Sequence, residues 1–328
     1  MCTSLTLRTK EGHHLLGRTM DFTIDFNQFV IVTPRNYSWQ NDSANQCTTN
    51  YATVGMGIKQ QDHILLADGV NEQGLMCATL YLPGYASYNK EELADKINLP
   101  PQDFVFWCLT HYATVDEVRE AMHVYNFLDS PLAILGITPP LHWIVSDKSG
   151  ACLVIESTAH GLQLYDNLIG VLTNSPELSW HLQNLRQYIG LRSNPYNPTQ
   201  WGDLELTAFS QGSGSFGLPG DFTPASRFVR AAFLKQTHNE AGNELEGITE
   251  IFHILANCAL PKGPVKNSEG IMDYTLYTAA MCAESASYYY FSYDSQQISA
   301  IHLANEDLNA QTVKIFPYSR QQTVCHLN

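Results

Sequence analysis

Apolar and polar positions alternate from the second residue of the chain, with Leu5 and Leu7 on one face of residues 2–9, and a period of two marks a strand. Lys10, Glu11 and Gly12 supply turn chemistry, and residues 14–21 run back as a second strand, so the chain opens on a β-hairpin. A turn centred near Glu11 lays residues 18–21 beside Cys2, because paired strands lie about 4.8 Å apart. A slip of one residue decides whether Arg18 or Asp21 shares the face of Cys2. Either register brings a charge near the thiol.

Further strands are predicted at 29–32, 64–67 and 75–82, after which the period becomes helical. Residues 101–110 form one helix. Thr114 opens the next with Glu117 as its capping-box partner, and Val115, Val118, Met122 and Tyr125 make the buried stripe. Residues 141–145 and 151–156 form a hairpin around a turn at 147–150, residues 162–172 continue the sheet, and a helix starts at Pro176 and runs to about Tyr188. Pro224 lies just inside a helix reaching about Gln236, residues 245–256 form another, and strands return at 273–282, 288–293 and 298–303. Hairpin-linked strands in blocks between helices predict an α+β fold of layered antiparallel sheets covered by helices, since a parallel sheet alternates strand and helix singly. No low-complexity linker or repeat interrupts the pattern, so residues 2–328 are read as one domain.

A hydrophobic content of 44% in 328 residues suffices for a large core. The net charge of −14 disfavours nucleic acid and anionic membrane as partners, since both attract clustered cations. No apolar run approaches the roughly 20 residues of a membrane span. The chain does not open on a basic region followed by an apolar stretch, so no signal peptide is read and a cytoplasmic location is expected.

The eight cysteines contain no C-x-x-C pair and the twelve histidines no H-E-x-x-H, so no metal site and no disulfide framework is predicted. Gly212-Ser-Gly-Ser-Phe-Gly217 matches G-x-G-x-x-G literally, but no strand leads into it and Leu218-Pro-Gly220 follows where a phosphate-binding helix would begin. It is read as a loop. No G-x-S-x-G elbow occurs.

The remaining chemistry sits at position 2. Removal of Met1 makes Cys2 the chain terminus, where one residue carries both a thiol and an α-amine. An α-amine titrates at about 7.7–8.0 and a free thiol near about 8.5, so such an amine can accept the proton of its own thiol. Taken alone, a cysteine here is more often a packed hydrophobe.

Several strings raise the weight of that reading: Gly17-Arg-Thr-Met-Asp-Phe22, Asp68-Gly-Val-Asn-Glu-Gln-Gly-Leu75, Leu80-Tyr-Leu-Pro-Gly-Tyr85, Leu172-Thr-Asn-Ser-Pro176 and Leu218-Pro-Gly-Asp-Phe-Thr-Pro-Ala-Ser-Arg-Phe228. With Cys2 they resemble the choloylglycine hydrolase family, N-terminal nucleophile amidases that include penicillin V acylases and conjugated bile salt hydrolases. Gly136-Ile-Thr-Pro-Pro-Leu-His142, Gly202-Asp-Leu-Glu-Leu-Thr207 and Tyr277-Thr-Ala-Ala-Met-Cys282 extend the likeness over nearly the whole chain. The resemblance implies a four-layer αββα sandwich, the Ntn-hydrolase fold, with Cys2 as nucleophile at a strand end, no cofactor, and a homotetramer.

Roles follow residue by residue from the same resemblance. Arg18 is suited to stabilise a thiolate, with a strand-end surface charge as the plain alternative. Asp21 is the carboxylate expected to hydrogen-bond and orient the cysteine amine; on its own it reads as a turn aspartate. Asn174 is the side-chain donor of an oxyanion hole, although spacing alone favours a helix N-cap. Tyr81 contributes a backbone N–H to the same hole. Arg227, in the first turns of a helix where a cation is not favoured by the helix dipole, is an active-site cation.

Tyr81 also bears on the substrate, a small-molecule acyl amide. Bile salt hydrolases of the resembled family usually carry Asn here and Gram-positive penicillin V acylases carry Tyr, so penicillin V is the first expectation. Met20, Phe22, Phe26 and Tyr81 form the expected acyl pocket. Conjugated bile salts and acyl homoserine lactones are alternatives within the class. A non-catalytic acyl-amide binder that retains Met1 is the alternative outside it.

Overall fold

The opening hairpin forms with Cys2–Arg8 antiparallel to His14–Phe22, Cys2 opposite Met20 and Ser4 opposite Arg18. This register decides between the two left open: Arg18 and Met20 share the face of Cys2, and Asp21 lies on the other. The computed structural model describes residues 1–40 and 46–328.

The hairpin sits in a six-stranded antiparallel sheet, ordered Val171–Leu172, Cys2–Arg8, His14–Phe22, Tyr274–Cys282, Ser287–Ser292, Ser299–His302. An eight-stranded antiparallel sheet faces it, ordered Gly161–Asp166, Cys152–Thr158, Leu141–Ser146, Met76–Tyr81, His63–Asn71, Thr53–Gln60, Phe29–Thr33, Lys314–Phe316. Helices Pro224–Thr237 and Glu244–Ala256 cover the outer face of the first sheet, and Phe104–His111 with Val115–Ala121 cover the outer face of the second. The result is the αββα sandwich. Leu5, Leu15, Ile251 and Leu255 lie fully or almost fully buried in the core beneath the outer helices. Gly17 allows that close approach, since a Cβ there would stand 2.2 Å from Ile251 Cγ2.

Local signals act as patterned at several element ends. Thr114 Oγ1 accepts from Glu117 N–H at 3.2 Å, and the Glu117 carboxylate accepts from Ala113 N–H at 2.7 Å. Tyr125 is buried with the predicted stripe but leaves the helix for the strand Tyr125–Phe127. Pro101–Asp103 is a 3-10 turn leading into Phe104–His111.

Three departures matter for the site. Strand Thr53–Gln60 was not foreseen, because Gly55 and Gly57 dilute its signal; both sit where backbones crowd, and a Cβ on either would lie 2.2 Å or less from a carbonyl oxygen of the next strand. The stretch predicted as one strand over 162–172 divides between the two sheets: Asn167 turns the chain, its side chain donating to Val171 O at 3.0 Å and accepting from Gly170 N–H at 2.9 Å. That crossing carries residue 174 to the nucleophile strand. The helix predicted from Pro176 begins at Leu178, with Glu177 as its N-cap, so Asn174 is not a capping residue. Among the described residues no helix is long and apolar enough to cross a membrane.

Candidate active site

Cys2 opens its strand on the face between the sheets, where its side chain is buried. Arg18, fully buried, donates from Nη2 to Cys2 Sγ at 3.0 Å and to Thr79 O at 3.2 Å. Its Nη1 donates to Asp68 Oδ2 at 2.7 Å, an ion pair with no exposure on either side. Tyr277 and Tyr288 donate their hydroxyls to the two oxygens of the same carboxylate. Burial alone would lower the Arg18 pKa, but Cys2, Tyr277 and Asp68 outweigh it and hold it raised. Burial and the Asp68 charge push both tyrosine hydroxyls upward.

The backbone beside the sulfur is open for a structural reason. Strand Met76–Tyr81 pairs with His63–Asn71 only where residues 76–78 meet 68–70. Leu82 N–H donates across the opposite edge to Pro140 O at 2.7 Å. Successive residues face opposite edges, so Thr79 C=O and Tyr81 N–H both point to the edge its neighbour has left. Arg18 fills part of that gap.

Asn174 meets the other side of Cys2. Its Oδ1 accepts from Cys2 N–H at 2.9 Å and from Arg227 Nη2 at 2.6 Å, while its Nδ2 donates to Tyr81 O at 2.7 Å. Arg227, fully buried, also donates to Thr3 Oγ1 at 2.7 Å and to the Cys2 carbonyl. Burial lowers its pKa, partly offset by Asp21. The Asp21 carboxylate accepts from Thr275 Oγ1 at 2.6 Å and Thr19 Oγ1 at 3.1 Å, and burial raises its pKa against the pull of Arg227. The hydrogen bond expected between Asp21 and the Cys2 nitrogen is made by Asn174 instead, because strand alternation turns the Asp21 side chain to the outer face. The main chain of Asp21 holds Met1: its N–H donates to Met1 O at 3.0 Å, and its carbonyl accepts from Met1 N at 2.7 Å.

Cys2, Met20, Phe22, Phe26 and Tyr81 line one apolar cavity of about 820 Å³, its open mouth included. Tyr81 packs edge-on against Phe22 with ring centroids 5.4 Å apart, and Phe22 meets Phe26 at 5.4 Å. Beyond these, the cavity runs past Leu65, Leu66, Met56 and Ile58 to Gln28. All six residues expected at the chemistry, Cys2, Arg18, Asp21, Tyr81, Asn174 and Arg227, therefore gather at one end of the sandwich.

Residues 2–316 match the choloylglycine hydrolase family of linear amide C–N hydrolases. The chain belongs to that family. As a choloylglycine hydrolase family member it is a linear amide C–N hydrolase, and the reading as a non-catalytic binder is set aside. It is 44% identical to the bile salt hydrolase/transferase of Clostridium perfringens over the full length of both chains. Crystal structures of the C2A and R18L variants of the conjugated bile acid hydrolase from that organism superpose with a TM-score of 0.94 at 43% identity, covering both chains completely. The penicillin V acylase of Pectobacterium atrosepticum is 27% identical over 216 residues, covering 60% of this chain and half of its own. The nearer likeness expected to penicillin V acylases thus gives way to one with bile salt hydrolases.

Sequence reasoning missed Asp68, Thr79, Tyr277, Tyr288 and Gln28. Asp68 opens one of the family strings, and that was its only signal. The tyrosines lie in strands where apolar periodicity reads them as core, and both are indeed buried.

Proposed function

We propose that this linear amide hydrolase acts on conjugated bile salts, cleaving the amide between a polycyclic acyl group and its amine. The observation that carries the reading is the reach of the cavity. Its lining comes from four neighbouring strands, from Tyr81 on Met76–Tyr81 to Gln28 beside Phe29–Thr33. Three strand spacings amount to about 14 Å. A fused polycyclic acyl group fills that length, and the single ring of a phenoxyacetyl group does not. Tyr81, the basis for expecting penicillin V, lines the cavity only beside Cys2.

In this reading Met1 is removed, and the freed Cys2 amine keeps Asn174 Oδ1 as hydrogen-bond acceptor, which directs its lone pair toward the thiol. The amine takes the Sγ proton as sulfur attacks the acyl carbonyl. Tyr81 N–H and Asn174 Nδ2, the latter released from the Tyr81 carbonyl, bind the tetrahedral oxyanion. The C–N bond breaks, the leaving amine carries off the proton, and water hydrolyses the thioester. Arg18 supports the sulfur's negative charge, while Arg227 holds the Cys2 carbonyl and Thr3 on the nucleophile strand and Asp21 balances its charge.

The test compares kcat/KM on glycine- and taurine-conjugated bile salts with penicillin V, using protein whose intact mass lacks Met1. Faster bile-salt turnover is expected. Faster turnover of penicillin V overturns the reading.

A further inference from the structure

The far end of the acyl cavity contains a polar group that its surroundings leave unsatisfied. Gln28 lines the cavity, is 5% exposed, and its Oε1 has no hydrogen-bond partner among the described residues. The Tyr318 hydroxyl is close by, but it already donates to Leu276 O. Tyr318 can therefore accept from Nε2 at most, and Oε1 is left without a donor. The neighbours of Gln28 in the lining, Met56, Ile58, Leu65 and Leu276, bring apolar side chains. An unpaired amide in such surroundings costs about 1–3 kcal/mol unless a ligand supplies the missing partner.

We propose that Gln28 is the specificity residue of the acyl site, accepting a hydrogen bond from a hydroxyl at the end of the acyl group far from the scissile amide. The placement supplies the distance: Gln28 stands about 14 Å across the sheet from the strand that carries Tyr81. The acyl group is thus a rigid, apolar skeleton with an alcohol at its distal tip. A site built to receive a hydroxyl discriminates strongly against the analogue lacking it, because the protein group then stays buried and unpaired. This inference rests on the bile-salt reading for the identity of the skeleton, but not on turnover.

The test is binding of the free acids to a Cys2→Ala protein by titration calorimetry. Lithocholic acid and 5β-cholanic acid share one ring skeleton and differ only in the hydroxyl at the end away from the carboxyl. Cys2→Ala protein is expected to bind the hydroxylated acid about tenfold more tightly, and adding Gln28→Met is expected to bring the two affinities within about twofold. Gln28→Glu, which keeps an acceptor, is expected to retain the preference. An equal loss for both acids with Gln28→Met, or a preference that survives it, overturns the proposal, as does failure of the hydroxylated acid to bind. If the hydroxyl preference holds while the wild-type protein cleaves no bile-salt amide, only the functional reading fails.

Discussion

Arg18 reaches the Cys2 sulfur with one guanidinium nitrogen, at 3.0 Å, while its other terminal nitrogen is held by a fully buried Asp68. The cation that serves the sulfur is thereby anchored from the opposite sheet. Arg18→Leu is expected to slow alkylation of Cys2 by iodoacetamide on the order of tenfold, since a neighbouring positive charge favours the reactive thiolate. The same change strands the Asp68 carboxylate and is expected to destabilise the fold by about 3–5 kcal/mol in denaturant unfolding. Adding Asp68→Asn is expected to restore most of that stability and none of the reactivity. Equal stability of the single and double variants would sink this account.

Asn174 accepts two hydrogen bonds on Oδ1 and donates one from Nδ2. Its amide orientation is therefore unambiguous. Asn174→Ala is expected to lower kcat by about 10²–10³ with little change in KM, as for loss of one oxyanion donor. Asn174→Asp, which turns an oxygen toward the Tyr81 carbonyl, is expected to be no better than Ala. A KM-only effect in steady-state kinetics speaks against the assignment.

Directly behind Asn174, the buried His181 ring makes an Nε2 contact with the Asn174 carbonyl at 2.8 Å, and its Nδ1 has no partner among the described residues. Burial lowers its pKa, so the folded state holds it neutral. An unfolded histidine takes up a proton near about pH 6.5. The unfolded chain then binds a proton that the native chain refuses. Its contribution to stability is complete above that pH and declines as the pH falls toward the folded value, with a limiting slope of about 1.4 kcal/mol per pH unit. His181→Gln is expected to flatten this component. The check is denaturant stability of both proteins between about pH 5 and pH 8, and parallel profiles count against it.

The hairpin of Thr199–Trp201 and Leu204–Leu206 exposes Trp201 at 73% and Leu204 at 62%, with Phe216 nearby in sequence at 86%. We propose these apolar side chains as a contact surface, with a second copy of the chain, expected from the family resemblance, as the partner. Sedimentation equilibrium of the unaltered protein is expected to give a homotetramer, and Trp201→Glu combined with Leu204→Glu is expected to give a smaller species, with the monomer fold intact by circular dichroism. An unchanged mass places the interface elsewhere.

Local signals carried much of the fold. The alternation of Leu5 and Leu7, the turn near Glu11 and the capping pair Thr114 and Glu117 all act within a few residues of one another, and such signals survive in a single sequence. The register of Cys2 on Met20 did not, because two registers satisfy the same alternation until the second sheet supplies Asp68 for Arg18. Strand Thr53–Gln60 was hidden by the glycines that let it fit. The candidate site was legible as separated strings, but its wiring was not. Asn174 lies 172 residues from the nitrogen it binds, and only the crossing at Asn167 brings them together.

The early parting of the strands at residue 79 is the feature with the widest consequence. Closing that seam would satisfy more backbone groups and make the sheet stronger, yet it would zip away the amide hydrogen of Tyr81 and the carbonyl that steadies Arg18. Reactivity in this molecule is thus lodged in an imperfection of its own architecture. Substitutions that heal the seam should yield a sturdier, inert protein.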